Sequence, residues 1–572
     1  MPDSPTEVKL DQETAKLLQD IYGAVPEELD RGIVSLIEEA DTSAVRDPLW
    51  DQRDVVLITY ADQVRDAKDS PLVAQRKFLL DNELDTSIRC VHLLPFCPYS
   101  SDDGFSVIDY MAVDPQSGTW EDIEKLGESF DLMFDLVLNH ASQQHVWFRE
   151  YLAGNPEYAD FFIDQDPSAD LSRVVRPRSL PLLTEFQSPS GTKHIWTTFS
   201  DDQVDLNYAN PRVMLKILQT LVEYARRGAR IIRLDAIAYL WKEVGTDCIH
   251  LPQTHAAVKL MRRVLDKAAP GTLVLTETNV PHQENISYFG SGEDEAHMVY
   301  QFSLPPLLLD AIHSGDTSVL RDWMKDLNLP SDKTTYFNFT ASHDGIGVRP
   351  LEGIVSDERM NQLAEIVKRH GGRVNTRRRS DGVDSPYELN ITYLDAVADA
   401  SKVAPADHAR RFLATQAIML SMQGMPAVYF HSLVGTPNDQ AGVAKTGQNR
   451  SINRHKYDRD ELDAALSRPH GLQRRVFDGY QRLLYVRSQF EAFHPNASQT
   501  ILDLDGDGLL GFVRGRELAE PVVVLANLTD QPRVVDRSAI DSAVTTDQLA
   551  CEAVGSQAKI ELRPFQVRWI TS

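Results

Sequence analysis

Short apolar runs alternate with amphipathic stretches along most of the chain. The runs cover residues 55–60, 90–94, 132–138, 229–234, 272–276, 298–302, 336–339 and 427–430. Continuous apolar strands, each followed by a helical pattern, predict a parallel sheet buried on both faces. Eight of them predict an α/β fold, a (β/α)8 TIM barrel. Before them, residues 1–50 place Leu17, Leu18, Ile21, Tyr22, Ile33, Leu36 and Ile37 at helical spacing. An N-terminal helical extension packed on the barrel is expected there. Two connections are too long for plain strand–helix units: 140–212 after the third strand and 345–410 after the seventh. Both are expected to be inserted subdomains. The barrel then takes 51–139, 213–344 and 411–490. From 491 to 572 the runs shorten (509–513, 522–526, 567–570) with turns between them, predicting a C-terminal antiparallel β domain.

Charge narrows the function classes. The 572 residues carry a formal net charge of -26. Such a surface repels phosphate backbones, so nucleic acid is not an expected partner. It also makes any group of arginines conspicuous. No apolar run of about 18 residues exists, so no membrane span is expected. The opening Met1-Pro2-Asp3-Ser4 lacks the basic-then-apolar pattern of a signal peptide, and the expected location is the cytoplasm. The four cysteines (Cys90, Cys97, Cys248, Cys551) form no CxxC pair, so neither a disulfide framework nor a zinc site is indicated. No metal and no cofactor is expected. Oligomeric state is not legible.

Polar residues gather where the predicted strands end. Asp135-Leu-Val-Leu-Asn139-His140 ends the third, Arg233-Leu-Asp235 the fourth, Glu277 the fifth, and His343-Asp344-Gly345 the seventh. A lone strand-end carboxylate is usually a cap or an ion pair. Several in barrel order, on the face where barrel active sites lie, point to chemistry. Glycosyl transfer with retention needs such a set. One carboxylate attacks the anomeric carbon while a second, protonated about 5–5.5 Å away, protonates the leaving oxygen. Arg233 and Asp235 share a strand face and would keep the nucleophile ionised. Glu277 as the acid calls for a less polar, partly enclosed place. Asp344, His343 and His140 would hold sugar hydroxyls, Asp344 also steadying the oxocarbenium-like transition state.

The order Asp135–Asn139–His140, Arg233–Asp235, Glu277, His343–Asp344 resembles the four motif regions of the α-amylase family, glycoside hydrolase family thirteen. The segments 55–62 (VVLITYAD), 91–96 (VHLLPF), 102–109 (DDGFSVID), 176–178 (RPR) and 343–347 (HDGIG) are similar to the sucrose phosphorylase subfamily. Within it, 176–187, 197–208, 278–306 and 385–393 look most like the glucosylglycerate phosphorylase branch. The resemblance runs from about residue 50 to the C-terminus. It implies Asp235 as nucleophile, Glu277 as acid and then base, and Asp344 as transition-state stabiliser. It places Asp102, His140, Arg233, His343 and Arg450 around a glucose, with Phe105 and Phe199 as apolar walls and Gln203 nearby. Tyr239 matches an aromatic on the acceptor side, and Arg178, Tyr387 and Glu388 match phosphate- or acceptor-binding positions. Two departures bear on the acceptor. Sucrose phosphorylases typically have glutamine at the Glu388 position, and Asn279 replaces a family histidine.

The implied reaction converts 2-O-α-glucosylglycerate and phosphate to α-glucose 1-phosphate and glycerate by double displacement. Small molecules are then the only partners expected. Sucrose, sucrose 6′-phosphate and glucosylglycerol are alternative glucosides. Hydrolysis or transglucosylation uses the same carboxylates. An inactive sugar-binding protein is the reading of another class, and a buried like-charge triad argues against it. Phosphate and glycerate are anions and need fixed cations, best supplied by guanidinium. Arg176 and Arg178 offer them on the first long connection, and Arg349, Arg373, Arg377, Arg378 and Arg379 on the second. The plainer reading of the arginine run is an exposed, solvated loop. Plainer readings are also set for other residues: His92 in the core, and Trp147, Phe148, Phe161 and Phe162 as the first insertion's own core. Lys242-Glu243 reads as barrel-edge charge pairing. Asn139, which matches a calcium ligand of many amylases, reads as an orienter of nearby backbone.

Overall fold

The structure is a computed structural model and describes residues 10–40, 46–177, 180–378, 384–540, 545–554 and 558–572. The barrel strands are β1 (Val56–Thr59), β2 (Cys90–Leu93), β3 (Asp131–Val137), β4 (Ala229–Asp235), β5 (Leu273–Thr276), β6 (Met298–Tyr300), β7 (Thr335–Asn338) and β8 (Met425–Tyr429). They close into a barrel in chain order. Registers are parallel, for example Asp135 opposite Arg233 and Val137 opposite Asp235 between β3 and β4. The strands are almost wholly buried, as unbroken apolar runs require. β8 starts at Met425, two residues before its apolar run. Pro426 lies near the strand start, a place where a missing N–H is tolerated.

By contact, the chain divides into two compact units. One comprises Met1–Leu49, Leu93–Thr278 and Ile286–Val299, the other Trp50–His92, Asn279–Asn285 and Tyr300–Ser572. In the first unit, helix Gln12–Tyr22 is capped by Asp11, whose carboxylate accepts from the Glu13 and Thr14 N–H groups. It ends at Gly23, where φ is 73°. This helix packs on helix Pro252–Ala268, and helix Glu27–Glu38 packs on helices Pro211–Arg226 and Pro252–Ala268. After β3 the chain builds helix Val146–Ala153, the hairpin of Leu183–Ser188 with Gly191–Trp196, and the pair His140–Ser142 with Gln203–Asp205. Phe148, Phe161 and Phe162 are buried within this segment.

In the second unit the chain after β7 forms a three-stranded sheet, Ile346–Gly347, Asp384–Asn390 and Arg373–Arg378, covered by helix Asp357–Arg369. The C-terminal segment is an antiparallel sheet containing Leu509–Arg514, Val522–Asn527 and Val567–Thr571 around a core of Leu509, Val523, Leu525 and Ile570. Among the described residues no helix is long and apolar enough to cross a membrane.

Candidate active site

The first unit holds the nucleophile and acid candidates. Asp235 is the last residue of β4, and strand alternation puts Arg233 on its face. The Arg233 guanidinium is buried between two carboxylates. One Nη1 bonds Asp135 Oδ1 and lies 2.6 Å from Asp235 Oδ1. A fixed cation this close favours the charged form of a carboxylate, which an attacking group needs. Ala236 follows in the left-handed region, with φ at 53°, a conformation that costs a residue with Cβ about 1–2 kcal/mol. The strained turn aims the Ala236 N–H at Glu277, whose Oε2 accepts it at 2.9 Å. Nucleophile and acid candidates are thus joined through one backbone amide.

The residues of this unit expected around a glucose form a connected wall. His140 is buried, and burial lowers its pKa, leaving a neutral ring. Its Nε2 lies 2.9 Å from the Phe105 carbonyl, which also accepts from Gln203 Nε2 at 3.0 Å. Phe105 in turn lies beneath the Arg233 guanidinium, 5.8 Å from ring centre to Cζ. Phe199 packs on His140, and Tyr239 meets Phe199 edge-on with centroids 5.5 Å apart. Asp102 sits half-buried at φ 51° in a tight turn. Gly104 closes that turn, where a Cβ would come 2.5 Å from the Pro95 carbonyl oxygen. Asp102, Phe105, His140, Phe199, Gln203, Arg233, Asp235, Tyr239 and Glu277 therefore all lie in one unit.

Lys242 differs from its sequence reading. Its side chain is 4% exposed and pairs with Asp205, at 2.7 Å, rather than with the adjacent Glu243. Its ammonium also donates to Asn139 Oδ1 at 2.6 Å. Asn139 Nδ2 lies 3.2 Å from His140 Nδ1 and 3.2 Å from Asp205 Oδ2. Asn139 thus orients a side-chain network that ends on His140. Asp205 lies 66 residues from Asn139, and no local pattern announced the pairing.

The second unit holds His343, Asp344, Tyr387, Glu388 and Arg450. Arg450 Nη1 is 2.7 Å from Asp344 Oδ1, and its Nη2 is 2.7 Å from Glu388 Oε1. The buried Glu388 also accepts from Asn375 Nδ2 at 2.9 Å, through Oε2. The Gly345 N–H points at Glu388 Oε1 from 3.3 Å. Both carboxylate oxygens are thus engaged, and Glu388 fixes the arginine that fixes Asp344. Arg454 donates to the His343 carbonyl, and Asn453 donates to the Ser342 carbonyl at 2.6 Å. Sequence reasoning missed Asn375, which holds Glu388 from 13 residues away, and Asn453 and Arg454, which reach Ser342 and His343 from 111 residues away. Tyr387 is half-buried beside Glu388. Of the arginines, Arg176 is exposed and donates to the Leu180 carbonyl, while Arg377 is bound to Glu352. Arg178, Arg379 and the side chain of Arg378 lie outside the described residues.

The family pattern "Alpha amylase, catalytic domain" matches residues 84–348. A glucosylglycerate phosphorylase of Allomeiothermus silvanus is 48% identical, over 91% of this chain and 91% of its own. The chain belongs to the α-amylase family. Within that family a sucrose phosphorylase of Agrobacterium vitis is more distant, 31% identical over 82% of this chain and 94% of its own. The crystal structure of a sucrose 6F-phosphate phosphorylase from Thermoanaerobacter thermosaccharolyticum superposes with a TM-score of 0.72. It is 27% identical and covers 83% of this chain and 94% of its own.

Proposed function

We propose that the protein is a retaining glucosylglycerate phosphorylase, converting 2-O-α-glucosylglycerate and phosphate to α-glucose 1-phosphate and glycerate. The observation that carries the chemistry is the Asp135–Arg233–Asp235 cluster with the Ala236 amide on Glu277. It supplies an ionised nucleophile and a tethered carboxyl partner. Asp235 attacks the anomeric carbon and Glu277 passes its proton to the departing glycerate oxygen. This leaves a β-glucosyl ester on Asp235. Phosphate then attacks the same carbon, gives its proton to the Glu277 carboxylate and releases Asp235. Two inversions retain the α configuration. Asp344, held by Arg450, and His343, whose carbonyl accepts from Arg454, steady the positive charge that develops on the sugar ring.

The identity gradient, 48% against 31%, supports glycerate over fructose as the leaving group. In this reading Arg178 and Tyr387 contact phosphate or acceptor, and Glu388 acts through Arg450. The reaction uses no metal or cofactor, and the cytoplasm, where phosphate is abundant, is the setting that favours breakdown. The test is phosphate-dependent release of glucose 1-phosphate from separate pools of glucosylglycerate and sucrose. Release from glucosylglycerate alone is expected. Release mainly from sucrose would replace the acceptor, and free glucose without phosphate dependence would replace the reaction.

A further inference from the structure

Arg349 is a largely buried cation whose side chain makes no hydrogen bond. Its side chain is 13% exposed, and its one ionic neighbour is Glu284, at 4.0 Å. The Nε is buried with no hydrogen-bond partner. A guanidinium largely removed from water and left this incompletely paired is costly to keep. In a chain of net charge -26, carboxylates are abundant, yet only Glu284 comes near it, at the outer limit of an ion pair. The other described arginines of 345–378 differ. Arg359 is held by Asp310 and Arg377 by Glu352, while Arg369 and Arg373 are exposed.

Its place in the fold is defined. Arg349 opens the 3-10 turn Arg349–Leu351, two residues after the strand Ile346–Gly347. That strand pairs with Leu389 and Glu388, and the Val348 N–H donates to the Tyr387 carbonyl at 3.1 Å. The arginine is therefore tied by backbone to the strand of Tyr387 and Glu388, and follows Asp344 by five residues. Asn279 lies against the same short strand. It occupies the space a Cβ would need on Gly347, with its Nδ2 at 2.5 Å from that position, and its Oδ1 is buried without a hydrogen-bond partner. A guanidinium with no hydrogen-bonded anion and a carboxamide oxygen lacking a donor flank one turn.

We propose that Arg349 is the specificity-determining cation for the acceptor, binding the carboxylate of a small hydroxy acid whose free hydroxyl donates to Asn279 Oδ1. This rests on the phosphorylase reading above and names the group that would make glycerate preferred. A neutral polyol would leave the guanidinium unpaired and be rejected for that reason.

The test runs in the synthetic direction, with glucose 1-phosphate as donor and either glycerate or glycerol as acceptor. The readout is the ratio of the two kcat/KM values, in the unsubstituted enzyme, R349M and R349K. The ratio should fall at least about thirtyfold in R349M, as loss of a desolvated charge pair implies, and recover in part in R349K. N279A, which keeps the cation, should lower the ratio less than R349M. A ratio within threefold of the unsubstituted enzyme in R349M overturns the assignment while leaving the phosphorylase reading intact. An equal fall for both acceptors also overturns it, because that marks a structural role. No glycerate use by the unsubstituted enzyme overturns the phosphorylase reading and this inference together.

Discussion

The two groups of candidate residues are built by opposite means. The Asp235 carboxylate is 10% exposed, stands on a central strand and takes its cation from two residues away on that strand. The Asp344 carboxylate is 25% exposed, stands on a loop and takes its cation from Arg450, 106 positions later. The proposed covalent step needs a nucleophile whose charge and position do not vary, and a buried strand suits both. A stabiliser of ring charge must admit sugar and acceptor. There a solvent-edged carboxylate held by a relay, Glu388 to Arg450 to Asp344, is suited to the work. The first arrangement is local and rigid, the second long-range and adjustable.

Substitutions can break each side of that contrast. D235A removes the attacking atom, and kcat should fall by roughly four orders of magnitude or more while the circular dichroism spectrum stays unchanged. Near-normal turnover would remove the site assignment. R233M strands Asp135 and Asp235 in the interior, and denaturant unfolding should show a loss of about 3–5 kcal/mol. E388A acts on the looser side. Arg450 and Asp344 lose their anchor, so kcat should fall about 10–100-fold, with a smaller stability loss than in R233M because the stranded Arg450 is partly exposed. A stability loss as large as that of R233M would erase the contrast. A236G relieves the left-handed strain after the nucleophile and should change stability by less than about 1 kcal/mol, while kcat drops severalfold as the amide on Glu277 loosens.

Burial also sets a pH response. Burial holds His145 and His313 down at about 4. In the unfolded chain both titrate near 6.5. Between those values the unfolded state binds more protons, so stability falls as pH drops from about 6.5 to 4. Each contributes roughly 1–2 kcal/mol of loss between pH 7 and 5. Thermal unfolding across that range should show the decline, and H313N should reduce it.

The contrast also explains what the sequence disclosed. The barrel strands were legible because burial on both faces demands unbroken apolar runs, as at residues 132–138 and 229–234. Asp235 and Arg233 were legible because a two-residue spacing on a strand is a spatial statement. Arg450 was placed through the family resemblance, and its grip on Glu388 was not foreseen. Nothing within a few residues of 388 says that a carboxylate there closes on a guanidinium 62 positions away. Lys242 misled for the same reason: Glu243 is beside it in sequence, whereas Asp205 is beside it in space. Periodicity encodes neighbours along an element, and pairings between elements leave no such trace.

The central claim is that Asp235 carries the glucose between the two steps. An activated fluoroglucosyl fluoride, which forms the ester readily and loses it slowly, would trap that state. Peptide mass mapping should then find one fluorohexosyl adduct, on Asp235, that phosphate discharges as fluoroglucosyl phosphate. An adduct on Glu277 or Asp344, or transfer to phosphate with D235A as fast as with the unsubstituted enzyme, would contradict the account.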